Sequence, residues 1–191
     1  MEMSLTRRPS LNLTENGSRV REMAMTVFGL MRNDEEKLIR QAKRLIKKHK
    51  SLAFKVFTEE VDGWTPVHAC SMRGSKKLLK TLFEAEIDVN MTMGQPEGLP
   101  SNCTMLHLAA HKGDLKIIKF LISKGANVDA QDGNGNAPAH YAAARKNKRA
   151  FRLLEEHGAN VSGIEFPAIN KDNQYECITP QPSTAKFCFF G

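Results

Sequence analysis

Cysteine is scarce. The 191 residues hold four, Cys70, Cys103, Cys177 and Cys188, and none forms a CxxC pair. That is too few, too scattered, for a disulfide scaffold. No apolar run approaches the ~18 residues a spanning helix needs. No basic segment followed by an apolar one opens the chain, so no secretory signal is expected. HExxH, phosphate-loop and Ser–His–Asp or Cys–His patterns are also missing. Together these absences predict a soluble protein of a reducing compartment, cytoplasmic with the nucleus as a second location. They also predict no enzyme activity and no cofactor.

What is present is a basic balance, net +7. Residues 1–61 carry 13 basic and 8 acidic side chains and residues 62–163 carry 13 and 10, so the excess is mostly N-terminal. Such a bias favours acidic partners or polyanions and says nothing of the fold.

Three segments repeat one pattern. They are Gly63-Trp64-Thr65-Pro66-Val67-His68-Ala69-Cys70, Asn102-Cys103-Thr104-Met105-Leu106-His107-Leu108-Ala109-Ala110, and Gly135-Asn136-Ala137-Pro138-Ala139-His140-Tyr141-Ala142-Ala143. Each leads into an amphipathic stretch: 77–83, 117–122 and 150–154. Each closes on a turn: Ile87-Asp88-Val89-Asn90, Gly125-Ala126-Asn127-Val128-Asp129, and Gly158-Ala159-Asn160-Val161-Ser162. Thr65 suits a helix N-cap and Pro66 the first helical position. Gly74 and Gly113 suit left-handed helix ends. No single unit can bury its apolar face alone, so stacking is required.

The pattern resembles the ankyrin repeat, whose signature reads G-x-T-P-L-H-x-A-A-x-x-G. His107 and His140 stand 33 residues apart, the family's period. The resemblance implies an all-α ankyrin-repeat solenoid, with a helix pair per repeat and β-hairpin fingers. It also implies that His68, His107 and His140 are structural, bonding the Thr-Pro turn and the neighbouring hairpin. Repeats packed about 10 Å apart cannot bring three histidines within about 2.1 Å of one zinc. No metal site is expected. Repeat three has Ala137 for the capping Thr and Lys146 for the terminal Gly, so it should be the weakest.

The expected organisation has a disordered segment over 1–18 and a degenerate N-terminal helical pair with its connector over 19–61. Three repeats follow over 62–163 (62–101, 102–134 and 135–163), then an irregular tail over 164–191. Val20, Met23, Ala24, Val27, Phe28 and Met31 make one helical stripe. Asn33-Asp34-Glu35-Glu36 reads as a capping box with Asn33 as N-cap. Leu52 to Val61 reads as a connector. The interval from His68 to His107 is 39 residues, and the surplus over 93–102 predicts an enlarged finger tip, either a neutral insertion or a contact loop. The tail shows no closing unit, so it either folds over repeat three or marks a truncated form of a longer product.

Lys37, Arg40, Lys43, Arg44, Lys47, Lys48 and Lys50 form a basic run with no acid between them. It reads as a polyanion site, an acidic-protein site, an import signal or a solvated helix face. The same alternatives apply to Arg145, Lys146, Lys148, Arg149 and Arg152. Ser10 follows Arg7-Arg8-Pro9 as in a basic-directed kinase site. Cys188 begins a C-a-a-X ending with an atypical Gly. Cys70 reads as an inert buried thiol, and Cys103, near a helix start, as a thiol whose pKa could fall. The five N-x-S/T sequons, at Asn12, Asn16, Asn90, Asn102 and Asn160, should go unused without a secretory signal. The resemblance implies that Asn90 is open to hydroxylation, beside its plain role as a turn former.

Ankyrin likeness implies a monomeric adaptor that binds another protein through its concave surface. On this chain the contacts would be Trp64, Met72, Arg73, His111, Lys112, Asn134, Asn136, Tyr141 and Arg145. Two other readings are a nucleic acid or acidic-lipid binder through the basic helix, and a regulatory arm of a larger enzyme or channel.

Overall fold

The computed structural model describes residues 13–164, with side chains from residue 17. Ser10, Cys188 and the tail beyond residue 164 lie outside the described residues. The elements in order are α1 (Leu13–Asn33), α2 (Glu35–Lys48), α3 (Lys50–Thr58), α4 (Pro66–Arg73), α5 (Lys76–Phe83), α6 (Met105–Lys112), α7 (Leu115–Ser123), α8 (Pro138–Ala144) and α9 (Lys148–Glu156). No strand occurs among the described residues. The expected β-hairpin fingers are not visible as ladders. The fingers are turns carrying two isolated bridges, Val61 with Trp64 and Thr92 with Thr104.

The motif residues set the helix ends. Thr65 is the N-cap of α4, Pro66 follows it, and Gly74 ends the helix with φ 87°. Gly113 ends α6 with φ 76°. At the equivalent place after α8, Lys146 takes φ 59°, a left-handed backbone that costs a side-chain-bearing residue about 1–2 kcal/mol. Ser75 and Asp114 cap α5 and α7 by accepting backbone N–H groups of Leu78 and Ile117 at 3.3 and 3.2 Å. Ala137 offers α8 no such acceptor.

The helices stack in two layers. Helices α4, α6 and α8 form the inner layer, where Ala109, Ala110 and Ala142 are fully buried and let the axes approach closely. Helices α2, α5, α7 and α9 form the outer layer, each packed on the next. One continuous apolar core runs from Val20 to Ala159. At the far turns side chains tie the repeats: Asn90 Oδ1 accepts the Asn127 N–H at 2.7 Å and Asp129 Oδ1 accepts the Asn160 N–H at 2.8 Å.

Three sequence expectations need correction. Helix α1 begins at Leu13, inside the segment read as disordered. The N-cap of α2 is Asp34, whose carboxylate accepts the Lys37 N–H at 2.8 Å. Asn33 is still the last turn of α1. Residues 50–58 are helix α3 rather than connector, because Ala53, Val56 and Phe57 recur at helical spacing and are all buried. The unit before repeat one therefore has three helices: α1 and α3 pack on α4 while α2 packs on α5. The enlarged finger over 93–102 lies against the stack. Pro96 and Leu99 are buried, and Leu99 N–H donates to Pro96 O at 3.2 Å. The loop lies so close over the Asp62–Gly63 turn that a Cβ on Gly63 would meet Pro96 N at 2.2 Å.

Candidate partner-binding surface

The expected contact residues separate into two groups along the inner helices. Met72, Arg73, His111, Lys112 and Arg145 sit at the C-terminal ends of α4, α6 and α8. Trp64, Asn134 and Asn136 sit before the N-termini, roughly 12 Å away for eight-residue helices rising 1.5 Å per residue. The structure brings the first five together and leaves the other three at the fingers.

The five form one row. The Lys112 ammonium donates to Arg73 O across the α4–α6 boundary. Arg73 Nε stands 3.9 Å from Glu35, so part of its charge is answered. His111 packs edge-on to Tyr141, with ring centroids 6.2 Å apart. Burial, with the nearby Arg145 charge, lowers His111 to about 4, so its ring is neutral at pH 7. Lys112 and Arg145 are exposed, and Met72 and His111 half-buried. Cations at helix C-termini also meet the negative end of each helix dipole. The row offers positive charge with a small apolar component.

Tyr141 does not belong to this surface. It is 9% exposed and its hydroxyl donates to Asp132 Oδ2 at 2.5 Å. Asp132, itself buried, also accepts N–H groups from Asn134 and Asn136 at 2.9 and 2.8 Å. Burial would raise this carboxyl, but the Tyr141 hydroxyl and those backbone donors outweigh it and hold it below the usual range. Cys103 Sγ lies 3.1 Å from the Tyr141 hydroxyl. The expectation of a lowered Cys103 pKa is overturned: burial dominates the helix terminus and pushes the thiol up to about 11. Burial raises Cys70 still further. The Asp132 network went unread in the sequence. Its signal is an Asp followed by Asn at +2 and +4, the arrangement by which an Asx side chain closes a turn.

His107 ties two repeats together, while His68 and His140 bond within their own. His68 Nδ1 accepts the Thr65 hydroxyl at 2.7 Å, and Nε2 donates to Met91 O at 3.0 Å. His107 Nδ1 accepts the Thr104 N–H at 3.0 Å, and Nε2 donates to Asn136 O in the next finger at 2.9 Å. His140 accepts the Ala137 N–H at 3.0 Å and is exposed. Among the described residues no group of three His, Cys, Asp or Glu is placed to hold a metal. Asn90 is exposed at its backbone turn, with both side-chain polar atoms engaged by the next repeat.

At the other end, Met23, Val27, Leu30, Leu38 and Leu45 line a shallow groove of about 360 Å³ between α1 and α2, rimmed by Arg44, Lys48 and His49. The seven basic residues of the 37–50 run are exposed. Arg40 pairs with Glu36 at 3.8 Å and Lys50 with Glu86.

Comparison with known proteins agrees with this geometry. The family described as ankyrin repeats (many copies) matches residues 106–155, and the single ankyrin repeat matches 62–93. The chain is 33% identical over 93 residues to the probable 26S proteasome regulatory subunit p28 of Saccharomyces cerevisiae, covering 48% of this chain and 39% of that one. It is 39% identical over 95 residues to palmitoyltransferase ZDHHC13 of Homo sapiens, covering 48% and 14%. With the transient receptor potential cation channel subfamily A member 1 of Drosophila melanogaster it shares 28% over 117 residues, covering 61% and 10%. The matched region thus spans well under half the length of these relatives.

Proposed function

From the premise that this chain is an ankyrin repeat protein, we propose that it is a monomeric, non-enzymatic adaptor of the cytoplasm or nucleus. It holds a partner protein against the inner layer. The supporting observation is the row Met72, Arg73, His111, Lys112 and Arg145, presented by three stacked helix ends. An acidic partner segment with one or two apolar side chains matches that row. Trp64, Asn134 and Asn136 at the fingers extend the contact. Trp and Arg are the side chains most often found to dominate such interfaces. A second reading, a regulatory arm of a larger enzyme or channel, is favoured by the small share of the palmitoyltransferase and channel relatives that the match covers.

The test is an affinity capture with wild type beside a Met72→Ala/Arg73→Ala/Lys112→Ala/Arg145→Ala variant of equal helicity. Proteins bound through the row should fall at least tenfold in recovery. Equal recovery of the same proteins by both would overturn the surface assignment.

A further inference from the structure

The outer layer carries a second surface, independent of the inner row. Aligning its four helices on their buried i, i+4 pairs gives one register: Leu38 and Ala42 on α2, Leu78 and Leu82 on α5, Ile117 and Leu121 on α7, Ala150 and Leu154 on α9. In that register the residue before the first buried position is Lys37, Lys77, Lys116 and Arg149. The residue two after it is Arg40, Lys80, Lys119 and Arg152. Every rung of both columns is basic. All eight side chains are exposed, and of the eight only Arg40 has an ion pair among the described residues. The acids of these helices, Glu35, Glu36, Glu155 and Glu156, fall outside the two columns.

The stacking order α2, α5, α7, α9 turns this register into geometry. Neighbouring helices pack about 8–10 Å apart, so four rungs span roughly 30 Å. Residues three apart on one helix are about 5–6 Å apart, so the strip is narrow. A strip that is long, thin and of one sign matches a line of negative charge better than a plane. It holds no aromatic side chain on which unpaired bases could stack. It holds no Asn or Gln to read base edges, only Lys and Arg that contact phosphate.

We infer that the outer helices form a four-rung cationic ladder that binds the phosphodiester backbone of a nucleic acid duplex without reading its sequence. This goes beyond the inner-layer reading and extends the basic character of α2, noted from sequence, to a surface built by all the repeats.

The experiment uses the full chain and fluorescence anisotropy with 30-base-pair duplex DNA and duplex RNA of mixed sequence, from 50 to 200 mM KCl. Vesicles of 30% phosphatidylserine in phosphatidylcholine serve as a third arm. Eight phosphate contacts predict a slope of log K against log salt near about −7 on DNA, and a loss of affinity of roughly 10³–10⁵-fold across that range. The ladder triple Lys77→Gln/Lys116→Gln/Arg149→Gln should cut the slope by about 3. An off-ladder triple of equal charge change, Arg19→Gln/Arg32→Gln/Lys55→Gln on α1 and α3, should leave it near the wild-type value. A preference between the DNA and RNA arms identifies which duplex supplies the backbone. Equal weakening by both triples would reduce the effect to net charge and overturn the ladder. Failure to bind either duplex at 50 mM KCl, or binding to the vesicles alone, would also overturn it.

Discussion

Lowering the pH from 7 to 5 should destabilise the stack through its buried histidines. His68 is fully buried and ties the start of α4 to the finger that follows α5, from the Thr65 hydroxyl to Met91 O. Burial first, with the neighbouring His107 opposing charge as well, lowers it from 6.5 to about 4 despite its bond to Met91. Between those values the unfolded chain binds a proton that the folded chain refuses. Stability therefore rises with pH through that window and is lost as pH falls below about 6.5. At pH 5 the linkage from His68 alone amounts to about 2 kcal/mol. For a chain of this size that lowers Tm by roughly 4–8 °C. His107 adds to the loss with the same sign, since burial lowers it too. Its Nδ1 also faces the Thr104 N–H, which a ring proton would oppose. Asp132, held below the usual carboxylate range, stays charged throughout. Thermal melts followed by circular dichroism at pH 7, 6 and 5, at constant ionic strength, measure the effect. His68→Gln should be less stable at pH 7 but have a flatter pH dependence, by up to about 1.4 kcal/mol per pH unit. A wild-type Tm that holds or rises between pH 7 and pH 5 would refute the reasoning.

Two further outcomes follow from backbone and caps. Ala137→Thr combined with Lys146→Gly restores an N-cap to α8 and relieves the left-handed Lys146, and should add about 1.5–4 kcal/mol. Hydrogen exchange should place the gain in α8 and α9; slowing elsewhere alone would count against it. Gly63→Ala should do the opposite at the other side of the stack. Its φ is 82° and its Cβ would meet Pro96 and Gln95 backbone at 2.2–2.6 Å, so the loop 93–102 must lift. Limited proteolysis should then cut that loop several-fold faster, and an unchanged rate would show that the finger was never docked.

Repeats were legible because their motif encodes backbone geometry. Thr65, Pro66 and Gly74 each name a conformation, and the structure places each in it. Lys146 was legible for the same reason: the register demanded a left-handed residue there, and φ 59° is what the chain adopts. Helix α3 was missed because its signal is amphipathic only. Ala53, Val56 and Phe57 sit beside exposed Phe54 and a Lys-rich start, so without a motif the segment read as a passage between elements. The three-helix cap is a tertiary solution: α1 and α3 together cover the face of α4 that a regular repeat would cover with one helix.

Surface residues were harder, because a motif fixes where a residue stands in the repeat and not what its neighbour does. Tyr141 occupies a position that a repeat can expose. Here Asp132, four residues before Asn136, reaches its hydroxyl and draws it inward. That contact joins the finger to the helix it precedes, so it depends on a turn closed by side chains that the repeat signature does not contain. The basic residues show the converse. Each of Lys37, Lys77, Lys116 and Arg149 is an ordinary exposed cation by itself, worth little to stability. Only stacking in register places them in one line, and a line of like charge costs the fold self-repulsion that an internal acid relieves only at Arg40, through Glu36. A fold that keeps such a cost on one face, while answering Arg73 and Lys50 with Glu35 and Glu86 elsewhere, leaves its unanswered charge where an external anion can reach it.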